Sequence, residues 1–231
     1  MKTSIRKREL ISKIYEWLIT LGQRIPGARK VWRARRSWGK PQGAGYVPVT
    51  KEVWESQYLN GDWIYMRQLE QLARYSVIVG YLQYFKHGCS VLDVGCGEGI
   101  LQEKLSAHGY SKYVGVDISE AAITKALQKK DEKTYFIRAD IEDYTPTESF
   151  DAIIFNESLY YLNDPLNVLE RYVDAALREG GILVISTYAQ YERGMCILEG
   201  LKAVYTLLDE VNTTHGSKAW VCSVFVPAPR R

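Results

Sequence analysis

Seven residues, Asp93-Val94-Gly95-Cys96-Gly97-Glu98-Gly99, close a short apolar segment and open an amphipathic one. Three glycines at alternate positions allow backbone conformations that a side chain blocks, and they let a ligand approach the main chain. A strand turning into a helix through such a loop is the opening unit of a wound α/β sheet. The following text keeps that alternation. Strands are predicted at 90–94, 113–117, 134–138, 151–155 and 181–187. Helices are predicted at 100–108, 120–130 (capped by Ser119), 165–177 and 196–208. Two further strands, 210–214 and 219–226, flank Gly216-Ser217 and read as a hairpin. Strands separated by helices imply an α/β fold of Rossmann-like type, a mostly parallel sheet covered on both faces. Ligands of such sheets sit beyond the carboxyl ends of the strands. The residues to watch are therefore 95–99, Asp117, Asp140, 156–161, Tyr188 and the turn at His215.

The segment before the sheet divides in two. Residues 51–86 read as leading helices broken at Asn60-Gly61-Asp62, with Ile64, Leu69, Leu72, Tyr75, Val79 and Leu82 forming the apolar stripe. Residues 1–45 form a basic N-terminal extension and linker, and a domain is placed at 46–231. Residues 1–40 carry twelve Lys/Arg against two Asp/Glu, and the remainder eighteen against twenty-five, which together give the net +3. An acidic body with a basic amphipathic head suits attachment to something anionic. A solvated arm, an anionic membrane surface met by the stripe Ile11, Ile14, Leu18, Leu21 and Ile25, and nucleic acid stacked on Trp32 and Trp38 all fit. No apolar run reaches the length of a membrane span, and no signal peptide is apparent. Cys89, Cys96, Cys196 and Cys222 are scattered, without metal-ligand spacing, so free thiols and no metal are expected. A cytoplasmic protein, peripheral at the membrane if the head binds lipid, is the reading that follows.

The glycine run departs from a dinucleotide fingerprint, whose third glycine would fall at Ile100. It suits a ligand with no pyrophosphate to cradle. Asp117, 22 positions beyond Gly95, ends the second strand, where a carboxylate accepts hydrogen bonds from two ribose hydroxyls. Asp140 follows the third strand, placed to accept from an adenine amino group, and Ile141 can pack on the base.

The motifs VLDVGCGEG, VGVDIS, RAD at 138–140, FDAIIFNESLYYL at 150–162 and LREGGILVIST at 177–187 stand in order. Together, over about residues 63–226, they resemble the class I S-adenosylmethionine-dependent methyltransferases. The resemblance implies a seven-stranded sheet whose last strand is antiparallel. It implies S-adenosylmethionine as methyl donor and S-adenosylhomocysteine as product. It assigns Asp93, Gly95, Cys96, Gly97, Gly99, Asp117, Ile118, Asp140, Ile141 and Asn156 to the cofactor. The likeness is to small-molecule methyltransferases of secondary metabolism and surface-glycan modification, which implies an O or N acceptor on a metabolite, sugar or lipid-linked precursor. The place after the fourth strand reads Asn156-Glu157-Ser158-Leu159, without the Pro-Pro run of base-amino methyltransferases. His215 and Glu157 are the candidate general bases, and Tyr65, Tyr160, Tyr161 and Tyr188 the candidate acceptor contacts. An RNA methyltransferase using the basic head, a silent S-adenosylmethionine-binding partner protein, and an NAD-dependent oxidoreductase are the competing readings.

Overall fold

The computed structural model describes residues 49–227. The basic head, its apolar stripe, the linker and the boundary near residue 46 lie outside these residues. The elements run α1 (Lys51–Asn60), a 3-10 turn (Ile64–Arg67), α2 (Leu69–Lys86), β1 (Ser90–Val94), α3 (Ile100–Ser106), β2 (Lys112–Asp117) and α4 (Glu120–Leu127). They continue with β3 (Thr134–Arg138), β4 (Phe150–Asn156), a 3-10 turn (Leu159–Tyr161), α5 (Pro165–Ala176), β5 (Leu177–Tyr188), α6 (Glu192–Lys202), β6 (Thr206–His215) and β7 (Lys218–Val226).

The seven strands form one sheet in the order β3-β2-β1-β4-β5-β7-β6. Only β7 opposes the others: it pairs antiparallel with β5 on one side and β6 on the other. The chain winds outward from β1 through β2 to β3, then returns to lay β4 on the other side of β1. That reversal is the switch point of the sheet, where a crevice opens at the carboxyl ends of β1 and β4.

Local chemistry explains the boundaries. β1 is buried at all five positions, as a central parallel strand should be. The Ser119 hydroxyl accepts from the Ala122 N–H and starts α4. Pro165 opens α5 behind the capping Asp164, and Leu166, Leu169, Tyr172, Val173 and Ala176 turn inward. Gly61 ends α1 in the left-handed conformation (φ 76°). α2 packs across β4, β5, β6 and β7, so the leading helix is part of the core.

Three sequence expectations are corrected. The helix predicted at 196–208 is α6 at Glu192–Lys202, and Thr206 already belongs to β6. Leu207 lies on the edge strand, paired with Phe225, where one face of the ladder stays in solvent. β5 begins at Leu177, paired with Phe150, before a register shift and the Gly180 turn (φ 68°). The stripe over 64–82 holds only from Tyr75 onward. Ile64, Leu69 and Leu72 are exposed, because the first turns of α2 bury Gln71 and Arg74 instead. Cys89, Cys96, Cys196 and Cys222 are all free thiols. Among the described residues no helix is long and apolar enough to cross a membrane, and no cluster of three His, Cys, Asp or Glu could hold a metal.

Candidate active site

A cavity of about 340 Å³ occupies the switch point. Its floor is the loop after β1, pinned where the Gly95 and Cys96 N–H groups donate to the Val116 carbonyl at 2.8 and 3.0 Å. Gly95 sits at φ 84°, and a Cβ there would lie 2.5 Å from Ser158 Cβ. Gly97, at φ 53°, lies beneath the Tyr58 hydroxyl, 2.8 Å from where its Cβ would be. Both positions need glycine for conformation, and Gly95 needs it for space as well.

Asp117 ends β2 at the same place. Its Oδ2 accepts from the Gly97 N–H at 2.9 Å and its Oδ1 from the Ser119 N–H at 3.0 Å. Burial raises its pKa against those amide hydrogen bonds. Each oxygen still has a lone pair to offer. Ile118, Asp140, Ile141 and Glu142 continue this wall. The exposed Asp140 accepts from the Glu142 N–H at 2.9 Å, and the Arg171 guanidinium donates to the Ile141 carbonyl at 2.9 Å.

The opposite wall holds the group that sequence reasoning missed. Arg74 on α2 is fully buried and lines the cavity. It donates to Asn156 Oδ1 and, at 2.7 Å, to Gln71 Oε1, and lies over the Tyr75 ring at 4.7 Å. Its Nε finds no partner among the described residues, and no carboxylate there comes within ion-pair distance of it. A buried guanidinium whose hydrogen-bond partners are all neutral is costly, and an anion in the cavity would relieve it. A signal existed: Gln71, Arg74, Ile78 and Leu82 follow the helical spacing of a core-facing stripe, and two of the four are polar.

Beside Arg74, Glu157 is the described non-glycine residue with positive φ (59°), and its carboxyl is buried in the cavity wall. The Tyr160 hydroxyl donates to its Oε2 at 2.8 Å, and the Tyr188 backbone N–H also faces it. Ser186 Oγ lies 2.9 Å from both Glu157 Oε1 and Asn156 Oδ1, and its single proton serves either. Burial raises the Glu157 pKa, opposed by the nearby Arg74 charge.

α1 roofs the cavity although none of its ten residues is fully buried. The Glu55 carboxylate accepts from Ser119 Oγ at 2.8 Å and from the Ala121 N–H at 3.1 Å, at the start of α4. Lys125 holds the Tyr58 carbonyl at 2.7 Å and Glu98 at 2.8 Å. Trp54 meets Tyr161 edge-on, with ring centres 4.8 Å apart.

Of the residues named from sequence, Gly95, Cys96, Gly97, Asp117, Ile118, Asp140, Ile141, Asn156, Glu157 and Tyr161 line this cavity. Tyr160 stands behind the wall as a partner of Glu157, and Tyr65 is close enough that the charges of Tyr161, Arg74 and Glu157 act on its hydroxyl, pushed up to about 12 chiefly by burial. The others lie elsewhere. Gly99 is a packing glycine, where a Cβ would strike Phe136 at 2.9 Å. His215 is exposed at the end of β6, on the hairpin whose Lys218 pairs with Glu70. The Tyr188 ring packs at a tilt against Trp220, and its backbone N–H reaches Glu157.

Asp93 lies beneath the loop, outside the cavity lining. Its Oδ2 accepts from the Tyr113 hydroxyl, and its Oδ1 has no partner among the described residues. Burial pushes its pKa up to about 7. A carboxyl whose folded pKa exceeds its unfolded value holds a proton the unfolded chain has lost, so its contribution to stability falls as pH rises from about 4 to about 7 and is flat above. Asp93→Asn should therefore flatten the decline of the thermal midpoint between pH 5 and pH 8. The check is a pair of calorimetric pH series. Parallel wild-type and variant curves would show that Asp93 does not titrate in this window.

Comparisons with known proteins bear on the family and the fold. Residues 85–220 match the family model described as "Methyltransferase domain". A curated relative, the ribosomal protein L11 methyltransferase of Burkholderia cenocepacia (strain HI2424), is 26% identical over 140 residues, 61% of this chain and 44% of the relative. The chain thus spans under half the length of the curated relatives it matches. Among solved structures, N-methyltransferase NodS from Bradyrhizobium japonicum WM9 with S-adenosylhomocysteine superposes with a TM-score of 0.68 at 22% identity, covering 78% of this chain and 98% of that one. The 1,6-didemethyltoxoflavin-N1-methyltransferase of Burkholderia thailandensis, with its substrate and S-adenosylhomocysteine bound, gives 0.66 at 16% identity, covering 82% and 94%. At these identities the structural likeness is one of fold.

Proposed function

This chain belongs to the methyltransferase-domain family, within the class I S-adenosylmethionine-dependent superfamily, and from that premise we propose that it methylates an O or N acceptor on a small molecule. The observation that carries the reading is the pairing of Asp117 with the anion-lacking Arg74 across one cavity at the switch point. The donor is zwitterionic at its methionine end and carries a ribose diol at the other. Arg74 would take the methionine carboxylate, and Asp117 the diol. Asp140, Ile118 and Ile141 would flank the adenine, and Asn156 would stand beside the methionine portion. These residues fit the ligand, since a buried guanidinium with an unpartnered Nε and a strand-end carboxylate line one cavity.

When bound, S-adenosylmethionine supplies a methyl group already activated on a sulfonium. The protein's work is then alignment and exclusion of water. Trp54 and Tyr58 on α1 cover the cavity and serve that exclusion. Glu157 is the general base, replacing His215, which is exposed outside the cavity lining.

Isothermal titration of the full chain should show S-adenosylhomocysteine binding with a micromolar dissociation constant and NAD binding at least about a hundredfold weaker. Asp117→Asn keeps the side-chain shape but removes the charge from two charge-assisted hydrogen bonds. It should weaken S-adenosylhomocysteine about ten- to thirtyfold. Unchanged affinity would remove the ribose assignment, and tight NAD binding would remove the methyl-donor reading. Methyl label from the donor should enter a metabolite extract; label entering only ribosomal protein or RNA would move the acceptor to those classes.

A further inference from the structure

The acceptor end of the cavity has a chemistry of its own. A continuous run of rings borders it. Tyr58 stacks on Trp63 at 5.8 Å, Trp63 lies 5.6 Å from Trp54, and Trp54 meets Tyr161 at 4.8 Å. Tyr161 lies 4.5 Å from Tyr160, whose hydroxyl binds Glu157. The charges are one-sided. Five lining residues are acidic (Glu98, Asp117, Asp140, Glu142, Glu157) and two are basic (Lys51, Arg74). Glu98 is neutralised by Lys125. Lys51 is exposed at the first turn of α1. With Arg74 engaged by the methionine carboxylate, no buried cation is left among the lining residues to hold an anionic acceptor.

Glu157 is the buried acidic group beside these rings, without an ion pair among the described residues. Its strained backbone fixes the carboxyl in the wall, and strain of this kind is tolerated where geometry serves function. The protons of Tyr160 and the Tyr188 N–H are directed at its oxygens, which keeps the group an acceptor toward the cavity. Aromatic walls and a carboxylate together attract ammonium groups, whereas a hydroxyl gains only a hydrogen bond to the carboxylate and an anionic acceptor is repelled by it.

We propose that the methyl acceptor is an amine: a small molecule whose amino group is received as an ammonium ion between the Glu157 carboxylate and the aromatic wall of Tyr161, Trp54 and Trp63. This rests on the methyltransferase reading above. The ammonium gives one proton to Glu157. The freed nitrogen lone pair forms the N–C bond to the methyl group while the C–S electron pair stays on sulfur. The products are the N-methylammonium, the neutral thioether and a proton, which Glu157 returns to solvent. An ammonium of pKa about 10 loses its proton to a carboxylate far more readily than a hydroxyl near 16 does.

The test uses the full chain saturated with S-adenosylhomocysteine, and calorimetric titration with matched probes: benzylamine, benzyl alcohol and benzoate, then 2-phenylethylamine, 2-phenylethanol and phenylacetate. The amines should bind about tenfold or more tightly than the alcohols, with the carboxylates weakest. Glu157→Gln should reduce the amine preference to under about threefold. Trp54→Leu, at a half-buried position on α1, should weaken the amines several-fold and serves if Glu157→Gln does not fold. Alcohols equal to amines, carboxylates preferred, no amine binding, or a preference that survives both substitutions would each overturn the proposal. Failure of the wild type to bind S-adenosylhomocysteine at the outset would instead overturn the methyltransferase reading.

Discussion

Gly95→Ala should abolish measurable S-adenosylhomocysteine binding and lower the thermal midpoint by about 5–15 °C. Two penalties act at this position. An L-residue at φ 84° is in the left-handed region, which costs about 1–2 kcal/mol. The added methyl would also stand 2.5 Å from Ser158 Cβ, and such overpacking costs about 1–3 kcal/mol. Ser158 cannot easily retreat, because its hydroxyl donates to the Val94 carbonyl at the end of β1. The loop must move instead, and with it the N–H groups of Gly95 and Cys96 that hold it to β2. Gly109→Ala is the control. Its φ of 82° is nearly the same, but a Cβ there meets nothing within 4 Å. It should lose only the conformational part, about 3 °C, and keep full affinity. Gly95→Ala with affinity within threefold of wild type would show that the loop does not cradle the ligand.

Features set by short-range chemistry were readable along the chain. β1 and β3 have the predicted bounds, because an apolar run between turn residues leaves little choice of register. The place of Asp117 in the cavity wall is legible because a carboxylate that ends the strand after a glycine loop must lie at the carboxyl edge of the sheet. Features set by three-dimensional neighbours were not readable. Gly99 looks like its two partners, yet it is pressed by Phe136 from β3, 37 residues away. Leu207 and Leu208 read as the end of a helix, and become strand only because β7 offers an unpaired edge. His215 stood at the right end of the sheet in the linear order. The two strands beyond β5 carry it away from β1 and β4, where the crevice lies. Arg74 sits on a helix whose apolar residues dominate its pattern, and a charged side chain there has solvent as its ordinary place. Its burial is the stronger clue, since a guanidinium inside a core demands a reason.

That reason can be tested by separating the two ends of the ligand. Arg74→Met should weaken S-adenosylhomocysteine about a hundredfold, the loss expected when a desolvated charge pair of about 2.7 kcal/mol disappears. The fold should tolerate the change. Methionine keeps an unbranched apolar stem and removes the cost of burying the guanidinium, Ser186 Oγ remains 2.9 Å from Asn156 Oδ1, and the buried Glu157 carboxyl takes up a proton more readily once the nearby positive charge is gone. Gln71 Oε1 loses a partner, a cost of about 1–3 kcal/mol that offsets part of the relief. The thermal midpoint without ligand should therefore move by only a few degrees. With ligand at a hundred times the wild-type dissociation constant, wild type gains about 2.7 kcal/mol and the variant only about 0.4 kcal/mol. Stabilisation of about 5–10 °C should shrink to about 1 °C. Methylthioadenosine, which has the adenosine but no methionine carboxylate, supplies the decisive contrast. Arg74→Met should leave its affinity within about threefold, whereas Asp117→Asn should weaken it as much as it weakens S-adenosylhomocysteine. Equal losses for both ligands in Arg74→Met would mean that the arginine shapes the cavity and does not hold the carboxylate. Arg74→Lys should recover part of the affinity, because the charge returns without the two-pronged donor geometry that a carboxylate prefers.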